Sequence, residues 1–170
     1  MTNTRKLVIL SFLVALTVVL ARFLSFKIDV LRMSFEFFPI AVAAMVFGPI
    51  AGGITGMVAD LIGAILFPSG TFFPGFTISA FLTGIIYGLF LYKSKVTLLK
   101  TIACVLVKLL VIDMVLVSAW LMIMYKMPLS GLVVTRLVKF AVMLPVETVL
   151  LYFGARPLID RLKKRTGLLS

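Results

Sequence analysis

Apolar residues run along this chain in blocks of about twenty, with charges and proline–glycine pairs set between the blocks. A helix needs about that many residues to cross a hydrocarbon layer of about 30 Å. The first block spans about Leu7 to Phe26, and a polar connection with Lys27, Asp29, Arg32 and Glu36 follows. From Phe37 to Tyr92 the one full charge is Asp60, and that stretch is too long for two spans without a turn. Gly48-Pro49 supplies one break, and Pro68-Ser69-Gly70 with Pro74-Gly75 supplies another. This predicts a short second span ending near Phe47, a third over about Ile50–Leu66 and a fourth over about Phe76–Leu91. Lys93-Ser94-Lys95 reads as a turn. A fifth span, about Leu98–Met124, is longer than a bilayer needs and must tilt or protrude. After Lys126-Met127-Pro128 a sixth runs from about Leu132 to Phe153. The expected fold is an all-α integral membrane protein of six transmembrane helices, residues 1–170 forming one membrane domain.

Composition agrees. Of 170 residues, 62% are hydrophobic and 14% charged, and mean hydropathy is +1.23. A soluble domain carries nearer 25% charge, and a disordered chain lacks this hydrophobicity. Arg5 and Lys6 ahead of an apolar stretch resemble a signal peptide, but no small-residue cleavage site precedes Arg22, so the first span is read as retained.

The net charge of +11 changes the picture only when its position is considered. Six spans put both termini on one side. That side carries ten cations: Arg5, Lys6, Lys93, Lys95, Lys100, Arg156, Arg161, Lys163, Lys164 and Arg165. The other side carries Lys27, Arg32 and Lys126. The positive-inside rule then makes both termini cytoplasmic, and the basic tail suits anionic headgroups of the lipid bilayer. Nucleic acid is not an expected partner.

Four cations remain within or at the edges of spans, where an ionisable group is costly and marks a functional candidate. Arg22 ends the first span, and Arg136 and Lys139, three apart, share a face near the start of the sixth. Each alone can snorkel to the interface; together they suggest an anion site. Lys108 is expected to pair structurally with Glu147, at similar depth, and to lie on a different face from Asp113. Asp60 sits among small residues, with Gly52-x-x-x-Gly56 and Gly84-x-x-x-Gly88 setting close helix contacts. It serves either as a structural partner for Arg22 or Arg136, or as an acceptor for a ligand's amino-heterocycle edge. Asp113, Trp120 and Met124 fall near one face of the fifth span, although Trp120 also fits an interfacial belt. The run Phe67 to Thr77, with two prolines, two glycines and Phe72 and Phe73, reads as an aromatic lid or as a turn in the headgroup region.

Catalysis is not expected. Histidine is absent, Cys104 stands alone, and no phosphate-binding loop, metal motif or nucleophile motif occurs. No cofactor or metal is predicted. Without its own ATPase, a transporter must use a gradient or borrow an engine. The small pair Ser11 and Ala15 on the first span permits close packing, either inside the bundle or against a partner helix.

The run from Phe47 to Tyr92, with Ala-Asp-Leu-Ile-Gly, Phe-Pro-Ser-Gly and Phe-Pro-Gly-Phe-Thr, resembles the substrate-binding (S) components of energy-coupling-factor (ECF) vitamin transporters. It is closest to the folate subfamily, FolT. The resemblance implies an S-component bundle in a bacterial cell membrane that captures one vitamin in an outward-facing cavity gated by loops. It also implies a membrane coupling subunit and two ATPase subunits, on which the S component topples to release its cargo. Ser11 and Ala15 match the family's small-residue contact motif, with serine in place of one alanine. For folate, Asp60 first and Asp113 second would take the pterin edge, and Phe72, Phe73 and Trp120 its rings. Arg22, Arg136 and Lys139 would take the glutamate tail. A thiamine- or pyridoxine-type S component, a small membrane enzyme and a structural membrane subunit are the competing readings.

Overall fold

The computed structural model describes residues 3–28, 31–68, 72–94, 96–126, 129–155 and 157. Helix α1 covers Asn3–Arg22, α2 Phe37–Phe47, α3 Pro49–Leu66 and α4 Pro74–Leu91. Helix α5 covers Leu98–Tyr125, and α6 runs over Leu129–Val149 into a π-helical end at Leu150–Ala155. Five of these rods are long and apolar enough to cross a membrane, while α2 has 11 residues. At 1.5 Å per residue α2 is only about 16 Å long. It is also the core helix: nine of its residues are buried, on every side, and Leu13, Tyr87, Leu91, Cys104, Leu109 and Leu151 pack around them. An apolar helix with no polar face belongs inside a protein.

Two features differ from expectation. The polar connection after α1 is an antiparallel hairpin, β1 Ser25–Ile28 with β2 Leu31–Ser34, in register Ser25 to Ser34. Four-residue strands are too short to produce a readable alternation. The lid is also shorter than expected, because Pro74 opens α4 and takes Gly75, Phe76 and Thr77 into its first turn. Proline tolerates that position, where its missing N–H has no intrahelical acceptor. Residues 69–71 of the lid, Lys95 and the tail cations Arg156, Arg161, Lys163, Lys164 and Arg165 lie outside the described residues.

Both expected glycine motifs sit at one seam. A Cβ on Gly84 would lie 2.2 Å from the Gly52 carbonyl carbon, one on Gly88 2.2 Å from Pro49 Cα, and one on Gly56 2.5 Å from the Ala80 oxygen. Helices α3 and α4 therefore touch backbone to backbone. Between α2 and α3, Gly48 adopts φ of +102°, a conformation open to glycine, and Pro49 then starts α3.

Candidate ligand cavity and family membership

At the end of the bundle where α1, α3 and α5 finish and α2, α4 and α6 begin, a cavity of about 700 Å³ opens. Ligand pockets usually span roughly 300–1,000 Å³, so this one holds a molecule of several rings. Its wall takes Thr17, Ala21 and Arg22 from α1, Asp60 from α3, Ser79 and Thr83 from α4, and Lys108 and Asp113 from α5. Arg136, Lys139 and Glu147 come from α6, and Phe72 and Phe73 from the lid.

Seven of the eight expected ligand-site residues are on that wall. The eighth, Trp120, stands one layer back: its ring lies 5.5 Å from that of Phe73, and its indole N–H donates to Ser79 Oγ at 3.1 Å. It braces the aromatic wall and does not form it. The reason is the turn geometry of α5, which is π-helical from Leu109 to Val117. The wider turn places Asp113, Val117, Leu121 and Met124 along the cavity and carries Trp120 to the side.

The same π segment overturns the expected separation of Lys108 from Asp113. Five steps along an α-helix place two residues about 140° apart. In a π-helix, residues five apart are bonded neighbours. Lys108 Nζ accordingly lies 3.1 Å from Asp113 Oδ2, and 2.6 Å from Glu147 Oε1, the partner expected from depth alone. Tyr87 on α4 donates its hydroxyl to Glu147 Oε2 at 2.9 Å, and Lys139 donates to Asp113 Oδ1. Helices α4, α5 and α6 are thus tied by one buried chain of polar groups. Lys108 is 7% exposed, Glu147 and Tyr87 0%, so each charge has its counter-charge where water does not reach.

Arg22, Arg136 and Lys139 do converge, but not as a bare cationic site. Four cations on the wall, with Lys108, face four carboxylates, Glu36, Asp60, Asp113 and Glu147. Within this balanced set Arg136 and Asp113 each keep unused hydrogen-bonding capacity. Arg136 Nε is buried without a hydrogen-bond acceptor, and Asp113 Oδ2 is buried with an ion-pair contact but no directed hydrogen bond. One is a donor and the other an acceptor.

Asp60 is oriented by Thr77, whose hydroxyl donates to Oδ2 at 2.7 Å. Arg22 lies over Gly63, where a Cβ would meet its Nε at 2.8 Å. Sequence reasoning missed Thr77, Tyr87 and the hydroxyl pair Ser79 and Thr83. The pair alone left a trace, two hydroxyls four apart inside an apolar block. Ser11 and Ala15 are exposed on α1, whose buried residues are Leu13, Thr17, Val18 and Ala21. No cluster of metal-binding side chains occurs among the described residues.

The family description "ECF-type riboflavin transporter, S component" matches residues 1–164. The chain belongs to the S components of ECF-type transporters. Within that family it is 37% identical over 163 residues to the folate transporter FolT of Clostridium novyi, covering 96% of this chain and 94% of that protein. It is 32% identical over 157 residues to FolT of Leuconostoc mesenteroides, covering 89% and 84%. A crystal structure of FolT bound with folic acid superposes with a TM-score of 0.87 at 36% identity, covering 92% of this chain and 98% of that one. Another bacterial ECF S component, at 22% identity over 98% and 97% of the two chains, gives 0.54 and shares the fold. As an S component with five membrane-length helices, the chain is a multi-pass membrane protein and a transport protein, not an enzyme.

Proposed function

We propose that this S component binds folate in the cavity and delivers it across a bacterial cell membrane. The observation that carries this reading is the near full-length likeness to a FolT crystallised with folic acid. The wall supplies suitable chemistry. Asp60, steadied by Thr77, and Asp113, with its unused Oδ2, accept from the pterin amino edge, while Phe72 and Phe73 cover its rings. Arg136 takes the glutamate carboxylates together with Arg22 and Lys139. Both termini are cytoplasmic, so the cavity, at the opposite end of the rods, faces outward; the asymmetry of cations supports this. Release inside proceeds by toppling of the whole S component on a coupling subunit driven by two ATPase subunits, with Ser11 and Ala15 on the contact face.

A riboflavin ligand is the second reading, favoured by membership of the family of ECF-type riboflavin transporter S components. Binding of labelled folate to detergent-purified protein, with excess folate, riboflavin or thiamine as competitor, separates the two. Nanomolar folate binding, about −12 kcal/mol, displaced by folate alone is expected. Displacement by riboflavin at equal concentration removes the folate assignment. Asp60→Asn is expected to cost about 1.5–3 kcal/mol of folate affinity, as loss of a charged hydrogen-bond acceptor does. Unchanged affinity in Asp60→Asn beside abolished binding in Arg136→Ala removes Asp60 from the pterin role.

A further inference from the structure

Among the described residues Tyr87 is the largest fully buried side chain, carries a polar group and is not on the cavity wall. Its hydroxyl is 2.9 Å from Glu147 Oε2, the other oxygen of Glu147 is 2.6 Å from Lys108 Nζ, and that ammonium is 3.1 Å from Asp113 Oδ2. We propose that Tyr87 and Glu147 are positioning residues for the Asp113 carboxylate, and through it set the affinity of the cavity for ligands bearing a paired amino and ring N–H edge. The proposal rests on the folate reading above.

The argument is one of competition for a single buried cation. Lys108 has two carboxylates in reach, and the more tightly held one determines where its ammonium stands. The Tyr87 hydroxyl fixes the plane of the Glu147 carboxylate, so Oε1 faces Lys108 and takes the short, directed hydrogen bond. Asp113 lines the cavity, and its Oδ2, with almost no accessible surface of its own, is left with the ion-pair contact but no directed bond. A carboxylate oxygen that is neutralised but still has lone pairs to give is suited to accept from a ligand N–H when the carboxylate turns toward the cavity. The π turn is what makes the competition possible, since it brings Lys108 and Asp113, five apart, to one face. Where the π turn gives way to α-helix, the Ser118 hydroxyl donates to the Asp113 carbonyl at 3.4 Å, meeting one of the acceptors released there.

Removing the Tyr87 hydroxyl leaves Glu147 Oε2 buried without a donor. The carboxylate then turns, and Lys108 follows it or moves onto Asp113. In either case the cation facing Asp113 Oδ2 moves while Lys139 still holds Oδ1, so the carboxylate turns about that bond. The test is a double-mutant cycle read by equilibrium binding, with Trp120, the one tryptophan, as a fluorescence probe beside the lid. The ligands are pteroic acid, which has the heterocycle edge and no glutamate, and p-aminobenzoylglutamate, which has the glutamate and no heterocycle.

Tyr87→Phe is expected to weaken pteroic acid about fivefold to tenfold and p-aminobenzoylglutamate less than twofold. In an Asp113→Asn background the same substitution is expected to change pteroic acid less than twofold. Glu147→Gln, which keeps an acceptor for Tyr87 and removes the charge, is expected to reproduce the selective loss. Equal losses for both ligands, an undiminished loss in the Asp113→Asn background, or no loss in Tyr87→Phe each overturn the proposal. A wild-type protein that binds neither ligand nor folate refutes the folate reading instead, so the two failures are distinguishable.

Discussion

A buried cation commits its neighbours to a particular chemistry, and Lys108 does so for three helices. Pulling an ammonium and a carboxylate out of water costs several kcal/mol each, which mutual attraction offsets only while both are present. Lys108→Ala strands Glu147, 0% exposed, and is expected to lower stability by about 3–5 kcal/mol. Lys108→Met combined with Glu147→Gln removes both charges and keeps an acceptor for Tyr87, and most of that loss is expected to return. Thermal unfolding in detergent without ligand checks both, and a double variant as unstable as the single one contradicts the pairing. The Lys108–Glu147 contact was legible in the sequence because depth in a bilayer is counted along the chain, and two opposite charges at one depth in an apolar bundle have few other partners. The Lys108–Asp113 contact was not. It depends on a π turn, and a run of leucine, valine and isoleucine reads the same whether four or five residues separate bonded groups.

At the scale of elements the same division holds. Gly48-Pro49 and Pro74 announced helix boundaries through backbone chemistry that acts locally, and the structure follows them, apart from Pro74 starting its helix where a lid was expected. The hairpin at Ser25–Ser34 was illegible because two short strands with a polar composition carry no periodic signal. The α3–α4 seam was legible, since glycine at every fourth position inside an apolar block has few uses besides close approach. Its energetics follow from what a new methyl would meet. On Gly84 it would lie 2.2 Å from Gly52 backbone, which cannot rotate away; on Gly154 it would lie 3.1 Å from the edge of the Phe38 ring, which can. Gly84→Ala is expected to destabilise by about 3 kcal/mol, at the top of the overpacking range, and Gly154→Ala by well under half of that. Thermal midpoints of the two variants decide it; similar midpoints mean that α3 and α4 are not in backbone contact.

For the whole molecule the proposed function asks one bundle to serve a ligand at one end and a partner on its side. Helix α1 joins the two functions. Arg22 stands on the cavity wall, and Ala15 and Ser11 are exposed seven and eleven residues earlier, about 10 and 16 Å down the same rod. Ala15 is exposed, and the buried residues of α1 lie to one side of it, Val18 one turn on being the nearest. Ala15→Trp therefore separates capture from delivery. Its bulk occupies the space that a small residue leaves for an approaching helix, while the cavity end of α1 stays fixed by Thr17, Val18 and Ala21. Folate affinity of the purified variant is expected to stay within twofold of the parent. Recovery of the coupling and ATPase subunits with it, and folate uptake by cells producing all four chains, are expected to fall at least tenfold. If uptake persists, the partner meets another face. If affinity falls as well, the exposed stripe of α1 is part of the folding unit, and the small residues there serve the bundle itself.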